Sequence, residues 1–168
     1  MRFKTRDLVT AAVLVAIGIV LPLAFHLSGI NGAVFLPMHI PVLISGLLLG
    51  SSLGLIVGIL SPLLNHMISG MPAIPILWVM LVELAVYGIV SGLLYRRVKM
   101  TLLPSLICSM VIGRIVAALM VVILGSFFSL PFPPIGIYIR GITITALPGI
   151  IIQLILIPSI IKAYERSQ

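Results

Sequence analysis

The sequence predicts an all-α membrane protein: a bundle of six transmembrane helices with both termini cytoplasmic. Three observations carry that prediction. Of the 168 residues, 61% are hydrophobic and only 8% charged, whereas a soluble domain is about a quarter charged. Such sparse charge cannot coat a water-facing surface. The uncharged runs are long, as in Val9 to Phe25 and Val42 to Leu64, and lack the alternating polarity of barrel strands. In lipid such runs must close their backbone hydrogen bonds internally, as helices. Finally, the basic residues behind the net charge of +7 cluster beside the apolar spans. That is a topology signal rather than a nucleic-acid-binding face.

Residues 1–168 read as one domain. The first span, Leu8–Phe25, follows the basic segment Met1 to Asp7 and resembles a signal peptide. Five further spans, and no small-residue cleavage site after Phe25, predict a retained first helix instead. Ala11, Ala12, Ala16 and Gly18 give it small faces, and Ala12-x-x-x-Ala16 is a spacing that admits a close helix neighbour. The second and third spans, Pro37–Leu49 and Leu53–Ile68, fold back through Gly50, Ser51 and Ser52. The second is short of the ~20 residues of a full crossing; either Val34 to Leu36 extend it or it crosses only in part. Its His39, with Asn65 and His66 on the third span, lies far from the turn, so the three collect at the opposite end. The fourth span, Ile74–Tyr95, carries Glu83 and Tyr87 one helical turn apart. The fifth, Leu102–Phe127, carries Arg114, and the sixth, Ile137–Ala163, begins with Tyr138 and Arg140. LLPSLI at 102–107 echoes LIPSII at 156–161, but the two run in opposite directions and make no internal repeat.

The charges set the orientation. Segments 1–7, 50–52, 96–101 and 164–168, with the end of the last helix, hold Arg2, Lys4, Arg6, Arg96, Arg97, Lys99, Lys162 and Arg166. The alternate loops, near 26–36, 69–73 and 128–136, hold no Lys or Arg. By the positive-inside rule the first set is cytoplasmic and the second faces outward. The outer loops are rich in turn formers, and Pro133-Pro134 predicts a stiff, extended lid segment.

Three ionisable residues remain inside the spans: Glu83, Arg114 and Arg140. Each costs roughly 2.5–3.5 kcal/mol to insert, so it needs a partner or a polar cavity. Glu83 neutralises one arginine and leaves one positive charge over, which suits the carboxylate of an anionic ligand. The structural alternative is a Glu83–Arg114 pair joining two helices, with Arg140 reaching the outer headgroups. His39, Asn65 and His66 suit a ligand-hydrogen-bonding lining better than a transition-metal site, since no carboxylate stands beside them in sequence. Trp78 and Tyr138 lie near the outer interface, where an aromatic belt is usual, and Tyr87 is deeper. No metal site and no catalytic residue is expected. Gly50-Ser51-Ser52-Leu53-Gly54 matches the nucleophile-elbow string, but falls on a helix turn without the strand, base and acid that elbow needs. There is no HExxH and no P-loop. The single Cys108 excludes an internal disulfide and reads as a small packing residue.

The basic N-terminus, Ala12-x-x-x-Ala16, the segment FLPMHIPVLISGLLLGSSLGLIVGILSPLL and MISGMP resemble the substrate-binding S component of energy-coupling factor (ECF) vitamin transporters, with pantothenate-type members most similar. The resemblance spans essentially the whole chain. It implies a multi-pass protein of the bacterial cell membrane that binds a small-molecule vitamin from outside. Its implied partners are a transmembrane coupling subunit and two cytoplasmic ATPases; ATP is used there, and this chain carries no cofactor. Ala12 and Ala16 match the docking motif on the first helix, and position brings Asn31, Glu83, Tyr87, Arg114 and Arg140 toward the pocket. The surplus arginine favours pantothenate. Biotin, niacin and lipoate are also acids, while riboflavin or a thiamine precursor would want more aromatic stacking. Two other classes are an intramembrane enzyme using Glu83 on a lipid, and an oligomeric transporter or channel. The first wants a nucleophile–base pair and the second usually an inverted repeat, and the sequence has neither.

Overall fold

A computed structural model describes residues 3–29 and 32–166. Arg2 and the candidate ligand residue Asn31 lie outside the described residues. Six helices are long and apolar enough to cross a membrane, and no strand occurs among the described residues. Helix α1 is Thr5–Leu27. The second span combines a single turn, α2 (Gly32–Phe35), with α3 (His39–Leu49). Helix α4 is Ser51–Ser69, and α5 is Ile76–Gly92, continued by a π-helical turn at Leu93–Arg97. Helix α6 is Leu102–Phe128. The short α7, Ile135–Arg140, runs into a second π-helical turn at Gly141–Thr145 before α8, Leu147–Arg166.

Two boundaries differ from the sequence reading. The last span does not run unbroken from Ile137 to Ala163. The helix ends at Ala146 (φ −84°, ψ 0°) and restarts at Leu147. Pro148 is the second residue of the new helix: lacking an N–H, it cannot bond back to the preceding turn and is best placed in a helix's first turn. Tyr138 and Arg140 therefore belong to a separate short helix. The second span, likewise, is lengthened by α2 but interrupted at Leu36, whose φ of +52° is left-handed, immediately before Pro37. The hairpin turn is tighter than the expected Gly50 to Ser52, since Ser51 and Ser52 already belong to α4. Gly50 alone separates α3 from α4, with φ +90°, a conformation only glycine adopts without penalty.

Glycines knit α3, α4 and α5 together. A methyl group on Gly88 would collide with the backbone of Gly54, and one on Gly58 with the carbonyl of Leu84. Gly46 faces Ser91, and Gly92 faces the Gly50–Ser51 backbone. In lipid, helices gain little from burying apolar surface against each other, so backbone approach at small residues supplies the packing. Helix α3 is buried from His39 through Leu47, with α1, α4, α5 and α8 packed around it. Helix α8 instead buries one narrow stripe, Gly149, Gln153, Ile157 and Ile161, at the four-residue spacing of a single helix face.

The basic helix ends meet. Arg6 Nη2 donates to the Tyr164 hydroxyl at 3.1 Å, and its guanidinium lies 5.6 Å from that ring's centre. The Tyr95 hydroxyl donates to Glu165 Oε1 at 2.6 Å. These contacts gather the start of α1 and the ends of α5 and α8 at one end of the bundle. A 380 Å³ cleft lies there, lined by Leu47, Leu48, Tyr95, Arg96, Tyr164 and Glu165.

Candidate functional site

The other candidate centre forms around Glu83, seven residues into α5 and so about 10 Å along its axis. Glu83 is 5% exposed. Burial of that charge requires partners, and two are present. The Tyr87 hydroxyl donates to Glu83 Oε1 at 3.0 Å, across one helical turn. His39 at the start of α3 brings Nε2 to 3.7 Å from the same oxygen, close enough for charge attraction but long for a hydrogen bond. The His39 and Tyr87 rings also touch, with centroids 5.3 Å apart and planes tilted by 57°.

Helix α6 completes the cluster through neighbouring residues. Gly113 leaves room for the Tyr87 ring, which a methyl group there would strike. Arg114 follows, about 18 Å along α6 from its start. It lies within electrostatic reach of Tyr87 and Tyr138, as does Glu83. No Glu83–Arg114 salt bridge forms among the described residues: Glu83 faces His39 and Tyr87. Arg114 Nε and Nη2 are buried without a hydrogen-bond partner.

The other residues singled out from the sequence sit elsewhere. His66 Nδ1 lies 2.9 Å from the Pro72 carbonyl, which can only accept, so this nitrogen carries the proton. Asn65 is buried, and its Oδ1 accepts from Ser69 Oγ at 3.1 Å. Both side chains thus engage the end of α4 and the loop after it. Trp78, in the first turn of α5, is exposed, as is Arg140 at the end of α7. Ala12 and Ala16 are exposed on α1, while Ala11, Leu14 and Gly18 form its buried face.

One residue of this region escaped the sequence reading. Gln153 on α8 is fully buried, its Nε2 donating to the Leu36 carbonyl at 3.4 Å and its Oε1 without a partner. The His39 backbone N–H donates to the same carbonyl at 3.1 Å, which fixes Gln153 beside the start of α3. Its signal was available: it is the single polar side chain in LPGIIIQLILI, Leu147 to Ile157.

The unmet polar atoms concentrate here. Among the described residues five buried side-chain atoms lack a partner: His39 Nδ1, Arg114 Nε and Nη2, Gln153 Oε1 and, apart from the rest, Ser61 Oγ. Each such atom costs roughly 1–3 kcal/mol, and folded proteins keep few of them. Two donors, one acceptor and one imidazole nitrogen are therefore available to an incoming polar molecule. A cleft of 140 Å³ adjoins Arg114, lined by Ile107, Met110, Val111, Ile150 and Leu154. That is below the roughly 300–1,000 Å³ of small-molecule sites. Among the described residues no three of His, Cys, Asp and Glu converge as a metal site requires.

The family model for the ECF transporter substrate-specific component matches residues 6–161. No curated protein and no solved structure matches the chain.

Proposed function

The chain belongs to the ECF transporter substrate-specific component family, and from that premise we propose that it captures a small anionic vitamin, with pantothenate the first candidate. Membership makes it a multi-pass plasma-membrane subunit that binds substrate for an ECF transporter, a transport rather than an enzymatic role. It also implies work alongside a transmembrane coupling component and ATPases. The ligand is the finer question.

The observation that carries the anionic reading is Arg114, whose buried Nε and Nη2 have no partner. A guanidinium edge with two free donors matches a carboxylate, which can accept both in parallel. Water cannot accompany a charge cheaply at this depth, so an incoming anion gains more from the pairing than it would at a surface. His39, Glu83, Tyr87 and Tyr138 then form the polar lining around that anchor. Asn65, His66, Trp78 and Arg140 belong to the rim. Biotin, niacin and lipoate share the carboxylate and compete with pantothenate as the ligand.

The positive-inside rule puts the Arg6, Arg96 and Arg97 end in the cytoplasm, with both termini. The loops near 26–36, 69–73 and 128–136 then form the entrance from outside. Ala12 and Ala16 supply a small, exposed α1 face for the coupling component.

The direct test is mass spectrometry of the molecule that co-purifies with the chain, followed by thermal shift against a vitamin panel. An acidic vitamin that raises the melting temperature is the expected result. Stabilisation by thiamine or riboflavin alone would overturn the anionic reading.

A further inference from the structure

Gln153 fixes a second feature of the ligand. The Leu36 carbonyl is an acceptor only, so the Gln153 atom facing it must be the amide nitrogen, Nε2. That assignment leaves Oε1, a pure acceptor, buried and unmatched. The side chain cannot satisfy itself by turning over, because the flip would set two acceptors against each other and lose the 3.4 Å contact.

The anchor is unusual backbone. Leu36 holds φ at +52°, a conformation costing roughly 1–2 kcal/mol for a residue with a Cβ. It occupies the break between α2 and α3. Its carbonyl serves both Gln153 and the His39 N–H. Next to it, Gly149 of α8 lets the backbone carbonyls of Val34 and Phe35 approach so closely that a methyl group would collide. Helix α8 therefore grips the break at two points one turn apart, and the grip orients Oε1.

Resting on the anionic-vitamin reading above, we propose that Gln153 is a specificity-determining residue that requires a hydrogen-bond donor on the ligand. Arg114 binds the carboxylate, and Gln153 Oε1 accepts from a hydroxyl or amide N–H elsewhere on the same molecule. The ligand class is thereby an acid that also carries a neutral donor. Pantothenate, with hydroxyls and an amide, and biotin, with ureido N–H groups, satisfy both. Nicotinate and lipoate offer no donor once ionised and leave Oε1 unmatched.

Calorimetry of the full chain against pantothenate, biotin, nicotinate and lipoate tests this. In the wild type, pantothenate or biotin should bind at least ~10-fold more tightly than nicotinate and lipoate, the scale set by one unmatched buried acceptor. Gln153→Met, close in size but without the acceptor, should erase that preference. An unchanged preference in Gln153→Met overturns the proposal. Tighter wild-type binding of nicotinate or lipoate also overturns it and leaves the anionic reading intact. Binding of none of the four acids removes the anionic reading, and this proposal with it. Should Gln153→Met not fold, the wild-type ranking of the four acids decides.

Discussion

The two halves of the bundle are packed differently. In α3, α4 and α5 the backbones touch at Gly46, Gly54, Gly58, Gly88 and Gly92, and the enclosed side chains are almost all apolar or locally satisfied. In α6, α7 and α8 the close backbone approach is at Gly149, against Val34 and Phe35, and the last span is interrupted between α7 and α8. A cleft opens beside Arg114, and α8 buries one four-residue stripe. The unpartnered atoms of His39, Arg114 and Gln153 lie where α3, α6 and α8 adjoin. A rigid half thus presents Glu83, Tyr87 and His39, while a looser half presents Arg114 and Gln153. The difference teaches where a ligand has polar atoms to meet: along the second half, where Arg114 and Gln153 keep unmatched groups.

The largest effect should come from crowding the rigid half. Gly88→Val sets its side chain against the Gly54 backbone, which cannot yield as a flexible side chain would. We expect a loss of roughly 3 kcal/mol or more, at or beyond the upper end of overpacking costs, read as aggregation or a sharply lowered melting temperature in detergent. Gly125→Ala in the looser half is the matched control. Its methyl would meet Phe132 at 3.9 Å, an ordinary contact, so melting should barely move. Equal damage from both substitutions would dissolve the contrast between the halves.

A smaller effect is expected at the hydrogen bond inside the cluster. Tyr87→Phe removes the donor to Glu83 and should cost about 1.5–3 kcal/mol of ligand-free stability, the range for a charged acceptor. Chemical denaturation in mild detergent would measure it. An unchanged midpoint would mean that Glu83 draws its stabilisation from His39 instead.

The least effect on ligand binding should come from α1. Ala12 is exposed, on the side away from Ala11, Leu14 and Gly18, so Ala12→Trp should leave vitamin affinity unchanged while abolishing co-purification with the coupling component. Normal co-purification would count against this docking face.

Much of the fold was legible because lipid leaves the chain few options. Long uncharged runs had to be helices, and Gly50 between two of them had to be the turn. Glu83 and Tyr87 could be paired in advance, since helical spacing alone stacks residues four apart. The contact of His39 with Glu83 depends on how α3 meets α5, which no local pattern encodes. Arg114 and Arg140 looked alike as charges within apolar runs. In the structure Arg140 is exposed on α7, while Arg114 is half-buried with its Nε and Nη2 shielded. Gln153 was missed because an uncharged amide sends a weaker signal than a charge, although an unmatched amide oxygen in lipid is also expensive.

The central claim is that Arg114's free donors are the anchor for an anionic ligand. Calorimetry with the acidic vitamin that stabilises the wild type, run on Arg114→Ala and Arg140→Ala, tests it most directly. Removing this half-buried charge, whose Nε and Nη2 have no partner, should weaken binding by ~100-fold or more, the scale of a lost charge-assisted pair. Ligand-free melting should not fall, because the substitution also removes an insertion cost. Arg140→Ala should stay within ~10-fold of wild type, as expected for an exposed charge. Retained affinity in Arg114→Ala would contradict the account.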